Sequence, residues 1–244
     1  MRRASLPLFA IWVRNVVRVT MTSDRTTERL VWDLPLRLFH WLLVCSLSAS
    51  WITANIGYDV RQYHVWLGFW MIGLLTFRVV WGFIGPRHAR FASFFPRPRL
   101  LLAHIRESFR GRARPSAGHN PVGGLMVFAL LILIAVQAIS GLFVDDDIFY
   151  AGPYASTASE SLTDVMSTIH HNIINVILAL VAAHIAAVIY FSVLRKQALI
   201  RAMLTGRKSA DVVSAQEEIS GSRIWLAITI VIVVTAVIIN LSWV

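Results

Sequence analysis

Five histidines stand inside long apolar runs of this 244-residue chain: His40, His64, His170, His171 and His184. Ionisable side chains are rare at membrane depth and usually functional there. Their spacing restricts the chemistry. His170 and His184 are 14 residues apart. On an α-helix that is about 3.9 turns, so both project from nearly one face, roughly 21 Å apart along the axis. His171 points about 100° away from His170, and its offset from His184 fits whole turns less well. If the apolar runs alternate direction across a bilayer, His64 falls at the level of His170 and His40 at the level of His184. Two opposed imidazole pairs result. Facing imidazoles in a helical bundle suit the two axial positions of an iron porphyrin. Such pairs leave no open coordination position, which favours electron transfer over oxygen binding. One membrane histidine alone reads equally well as an interhelical hydrogen-bonding group. Four at two matched levels argue for ligation.

The elements that must position these side chains are membrane helices. A span needs about 20 apolar residues, and five segments approach this: 36–56, 63–84, 121–144, 165–194 and 224–244. The chain is 57% hydrophobic and 15% charged, against about 45–50% and 25% for soluble domains. The predicted fold is all-α, an integral membrane bundle of four histidine-bearing or intervening helices plus a fifth at the C-terminus. Disordered, fibrous and disulfide-scaffold classes are excluded. The single cysteine, Cys45, excludes intrachain disulfides and thiolate metal clusters, and reads as a small packing residue. No Cys-x-x-Cys-His motif for covalent haem is present. The net charge of +10 is carried between apolar runs, which points to membrane loops and away from nucleic acid. Loop 85–120 holds eight Arg and one acid, and loop 195–223 six basic residues; loop 145–164 holds five acids and no Lys or Arg. The positive-inside rule puts the N-terminus and the two basic loops in the cytoplasm and the C-terminus outside. Asp33 and Asn120 stand where they can cap the first and third spans.

Weaker features accompany the histidines. Gly68 and Gly73 follow His64 at spacings that admit a macrocycle or a neighbouring helix. Arg78 lies 14 residues after His64, and Arg37 one turn before His40. Each reads as a partner for a porphyrin propionate or as a side chain snorkelling to the headgroups. Trp32, Trp41, Trp51, Trp81 and Trp243 read as an aromatic belt. His88, His104 and His119 read as solvated loop histidines.

Five stretches then carry a resemblance: VWDLPLRLFHW at 31–41, FRVVWGFIGPRHARF at 77–91, GHNPVGGLM at 118–126, RAMLTGRK at 201–208 and IHHNIINVILALVAAH at 169–184. Together they resemble the bacterial cytochrome b561 family, in its branch of nickel–iron hydrogenase b-type cytochromes. The resemblance implies a four-helix core over residues 31–210 with two b-type haems. The matching ligands are His40, His64, His170 and His184, with Asn175 five residues after His170 favouring it over His171. The family carries an acidic residue where His171 stands. Residues 1–30 and the 211–244 segment, a linker with the fifth span, lie outside the common core.

The expected function is electron transfer across the bacterial inner membrane between a periplasmic redox partner and the quinone pool of a respiratory chain. A c-type cytochrome or a hydrogenase-like subunit is the implied partner, and a homo-oligomer is compatible. One alternative is a superoxide:ubiquinone oxidoreductase. The outer loops, with one Arg and six acids, are poorly charged to attract superoxide. Another is a histidine-lined metal transporter, which predicts carboxylates along the spans where none stand.

Overall fold

The computed structural model describes residues 28–113, 115–145 and 151–242. The readings that fall on residues 1–27, Arg114, Asp146, Asp147 and Trp243 lie outside the described residues. Strand β1 (Glu28–Leu30) leads into α1 (Leu34–Ile56) and α2 (Arg61–Ile84), followed by α3 (Pro98–Phe109), α4 (Pro121–Gly141) and α5 (Glu160–Ile189). A π-helical turn, Tyr190–Leu194, extends α5. Then come α6 (Leu199–Thr205), β2 (Arg207–Ser209) and α7 (Ile224–Ser242). Helices α1, α2, α4, α5 with its π turn, and α7 are long and apolar enough to cross a bilayer. They correspond to the five predicted spans, and the chain is a multi-pass membrane protein.

Local sequence explains the starts. Asp33 Oδ1 accepts the Leu36 N–H at 2.9 Å, with Pro35 in the first turn. Asn120 Oδ1 accepts the Gly123 N–H at 2.7 Å ahead of α4. Each cap satisfies an amide that the helix itself leaves unpaired. Helix α6 stops at Gly206, whose φ of +82° is open to glycine at little strain.

Helix α1 packs along α2 and α4 along α5, while α2 also meets α4 and α7. Met71, Leu75, Ile134 and Ile177 form a buried cluster in the middle of this arrangement. Ile177, fully buried, is seven residues from both His170 and His184. Apolar packing therefore separates the two histidine levels. At the far end of the bundle Tyr154 Oη donates to the Leu241 carbonyl at 2.7 Å, holding the end of α7 beside the loop that precedes α5.

The basic end is closed by a cap that the sequence does not announce. β1 and β2 pair antiparallel, Leu30 opposite Arg207. The N–H groups of Val31 and Trp32 both donate to the Gly206 carbonyl, at 2.9 and 3.0 Å. Residues 211–223, read as a linker, are stitched into this cap. Ile219 N–H donates to Leu30 O at 3.0 Å, Arg87 to Gln216 O at 2.8 Å, and Arg223 to Ile84 O at 2.8 Å. Val213 is fully buried. The region read as a loop between residues 85 and 120 contains α3 and two short 3-10 turns. Trp32 and Trp81 are not belt residues: they are 7% and 0% exposed, and Trp81 Nε1 donates to Asp33 Oδ1 at 3.0 Å. Cys45 is exposed on the outside of α1 rather than packed between helices.

Candidate haem sites in the bundle

The structure brings His64 of α2 and His170 of α5 together, edge to face. Their ring centroids are 6.1 Å apart and their planes 88° apart. Each ring is oriented by a backbone carbonyl on an adjacent helix. His64 Nδ1–H donates to Ser50 O of α1 at 2.9 Å, and His170 Nδ1–H donates to Gln137 O of α4 at 2.9 Å. These bonds fix the tautomer and leave the Nε2 lone pair of both rings uncommitted, the arrangement of a metal-ligating histidine. Gly141 makes the approach possible, since a Cβ there would stand 2.7 Å from His170 Cε1. His171, by contrast, is exposed and donates from Nδ1 to Ser167 O of its own helix at 2.7 Å. Of the two adjacent histidines, His170 is the one that faces His64.

The residues fit an axially ligated haem. Two metal–nitrogen bonds of about 2 Å each, plus the distance from each nitrogen to its ring centre, span about 6 Å. One turn beyond His64, a Cβ on Gly68 would meet nothing within 4 Å, so this face opens onto free space. Gly73 does not share that role. Its Cβ would lie 3.5 Å from Ile238 of α7, which makes it a helix-packing glycine.

At the other level His40 of α1 and His184 of α5 lie within electrostatic reach of one another. His40 Nδ1 is buried with no hydrogen-bond partner. The same end of the bundle carries buried charge. Arg78 is 2% exposed, its guanidinium lies over the Phe91 ring at 4.5 Å, and its Nη1 is buried and unpartnered. It does not snorkel, because the cap covers it. Asp33 opposes it, fully buried, with Oδ2 unpartnered. Arg37 donates from Nη1 to Leu204 O, which ties α1 to the end of α6, while its Nε is buried and unpartnered.

Two histidines expected in solvent belong to this cap. His88 is 7% exposed, and its Nε2–H donates to Glu217 O at 2.7 Å. His119 lies between the rings of Trp32 and Phe94, 4.7 Å from each, and its Nδ1 is buried without a partner. The reason is close backbone passage: a Cβ on Gly118 would come within 2.8 Å of His88 Nδ1, and one on Gly124 within 2.4 Å of Phe94 O. Lys208 Nζ donates to Ser116 O and Ala117 O at 3.0 and 2.7 Å. Burial pulls the Lys208 ammonium down to about 8. Burial, reinforced by Arg78 and Lys208, pushes the His119 imidazole down to about 3 and keeps it neutral at physiological pH. Burial lowers His88 as well.

Sequence reasoning missed the carbonyls of Ser50 and Gln137 and the role of Gly141. A backbone carbonyl has no sequence signature, and Gly141 lies near a helix end where glycine is unremarkable.

The family model for prokaryotic cytochrome b561 matches residues 31–206. The chain is also similar to the probable Ni/Fe-hydrogenase 1 B-type cytochrome subunit of Escherichia coli K12, with 26% identity over 144 residues. The same subunit of E. coli O157:H7 matches at the same identity. In both cases the match covers 49% of this chain and 61% of the relative. The family match begins at Val31 and ends at Gly206, the two residues joined where the cap closes the bundle, and all four ligand candidates lie between them. The chain belongs to the prokaryotic cytochrome b561 family.

Proposed function

We propose that this chain holds two b-type haems, one between His64 and His170 and one between His40 and His184, and passes electrons between them across a bacterial inner membrane. The observation that carries this reading is the outer pair, in which both Nδ1 groups are committed to backbone carbonyls and the two ring centroids stand 6.1 Å apart. Haem bound there supplies one-electron redox chemistry. The protein's contribution is to fix the imidazoles, exclude water with the Met71–Ile134–Ile177 layer, and bury charge at the inner end of the bundle. Arg78 and Arg37, each with a buried unpartnered nitrogen, are the cations that this reading assigns to a propionate of the inner group. The 14-residue spacing of His170 and His184 puts the two residues that would hold the groups about 21 Å apart along α5.

On this reading the electrons run between a periplasmic partner, a c-type cytochrome or a hydrogenase-like subunit, and membrane quinone. The resemblance to hydrogenase cytochrome subunits and the distribution of basic loops support this direction of assembly. They also support placing the capped, arginine-rich end in the cytoplasm and the end of α7 in the periplasm.

The test is the optical spectrum of the purified protein, oxidised and dithionite-reduced, with a pyridine haemochrome count. The expected result is two low-spin b haems per chain. A count of one would withdraw the dihaem reading, and a folded preparation without haem would withdraw both.

A further inference from the structure

The connection between α2 and α4 carries a surface that neither histidine pair uses. Helix α3 begins beside α4, where the rings of Phe94 and Phe95 lie 5.6 and 5.7 Å from that of Phe128. Its other end is held at the foot of α5, where Arg195 donates to Gly111 O at 3.2 Å. Twelve residues of helix, about 18 Å, thus connect the flank of α4 to the foot of α5. Both anchors lie on the basic side of the bundle, one against α4 and one against the end of α5.

Its side chains suit that position. Phe128 is seven residues into α4, about 10 Å along its axis. The Phe95 ring that meets it is 62% exposed, so it stands beside the bundle at acyl-chain depth. Leu102 is 68% exposed and sits between Arg99 and Arg106, three residues before and four after it on the same side of the helix. Arg97, Arg99, Arg106, Arg110 and Arg112 are all exposed. The one acid on the helix, Glu107, is engaged by Arg110 at 3.5 Å. An apolar edge flanked by arginines is the pattern of a helix that buries its leucines at the acyl boundary and keeps its charges on the headgroups. Charge complementarity selects the occupant, because a surface this basic matches anionic lipid and gains nothing from a zwitterionic one.

We propose that α3 is an interfacial helix that binds anionic phospholipid, with Phe95 and Leu102 at the acyl boundary and Arg97, Arg99 and Arg106 on the phosphates. The proposal needs only the membrane topology and stands apart from the number of haems bound.

Two measurements on the full-length protein test it. In a Cys45→Ser background, Leu102→Cys carries a fluorophore, and the protein is reconstituted in vesicles of phosphatidylethanolamine and phosphatidylglycerol. Quenching by a nitroxide on a shallow acyl carbon is expected to exceed quenching by a water-soluble quencher. The reverse order would overturn the proposal, and would turn attention to an acidic soluble partner for this face. In parallel, lipids retained by the protein are counted by native mass spectrometry. Wild type is expected to enrich phosphatidylglycerol over phosphatidylethanolamine, and R97Q/R99Q/R106Q to lose that enrichment, at about fivefold per arginine. Unchanged enrichment in a triple variant that keeps its wild-type haem spectrum would also overturn the proposal.

Discussion

The two histidine levels are built by different means. At the outer level the helices themselves do the positioning: two backbone carbonyls orient two imidazoles, and glycine lets one of them approach. At the inner level His40 has no partner for Nδ1, and Arg78 and Asp33 are buried under the cap at that end of the bundle. One site is organised by backbone geometry and the other stands at the end that carries buried charge. Ligand orientation governs how tightly a metal is held, whereas nearby buried charge governs the stability of its oxidation states. The outer site is therefore expected to be sensitive to shape and the inner to electrostatics.

Removing a ligand breaks the comparison most severely. His64→Ala or His170→Ala is expected to lose the outer haem and leave one per chain, and His40→Ala or His184→Ala to lose the inner one; pyridine haemochrome counts and redox titration distinguish the four. His171→Ala is expected to leave two. A change of shape alone comes next. Gly68→Leu adds a side chain where a Cβ meets nothing, so the bundle should assemble while the outer haem loses affinity by about 10–100-fold, the scale of a disturbed metal environment. Equal loss at both sites would erase the distinction between them. Arg78→Gln then tests the inner site, with an expected fall of its midpoint potential on the order of 50 mV while the outer potential holds, because a buried cation disfavours the more positive oxidised iron. A shift confined to the outer haem would invert the assignment.

The smallest expected effect concerns the cap. His119 and His88 are held below their ordinary pKa of about 6.5 by burial. A group depressed in the folded state contributes stability above its unfolded pKa and loses it as pH falls toward the folded value. The cap should therefore loosen progressively below pH 6.5. Hydrogen-exchange protection, relative to the intrinsic rate at each pH, should fall there at the Val31 and Trp32 amides, which bond Gly206, while protection in the α2–α4 core holds. Matched falls in both regions would show that acid acts on the bundle as a whole.

The spans, two of the helix caps and the levels of the four histidines were legible because each follows from one-dimensional periodicity. Hydrophobic length marks a span, and 14 residues bring a helix back to one face. That His170 and not His171 meets His64 was also within reach, since adjacent residues on a helix diverge by about 100°. The cap was not legible. β1 and β2 are three residues each and about 180 positions apart, and no local pattern announces such a pair. His88 and His119 misled for a related reason: a histidine in a basic loop looks solvated until the glycines that let the loop fold over it are placed. Arg78 was ambiguous until the covering loop fixed which way it could not turn.

The pairing of Leu30 with Arg207 also says something about how the molecule is made. The strand that opens the described chain emerges from the ribosome before the five described spans, yet its partner is synthesised only after four of them. Until then Val31 and Trp32 have no carbonyl from Gly206 to hold them. The earliest described strand is thus among the last to be satisfied. Closure of the clasp registers that α1, α2, α4 and α5 have all been inserted, just before α7 follows them.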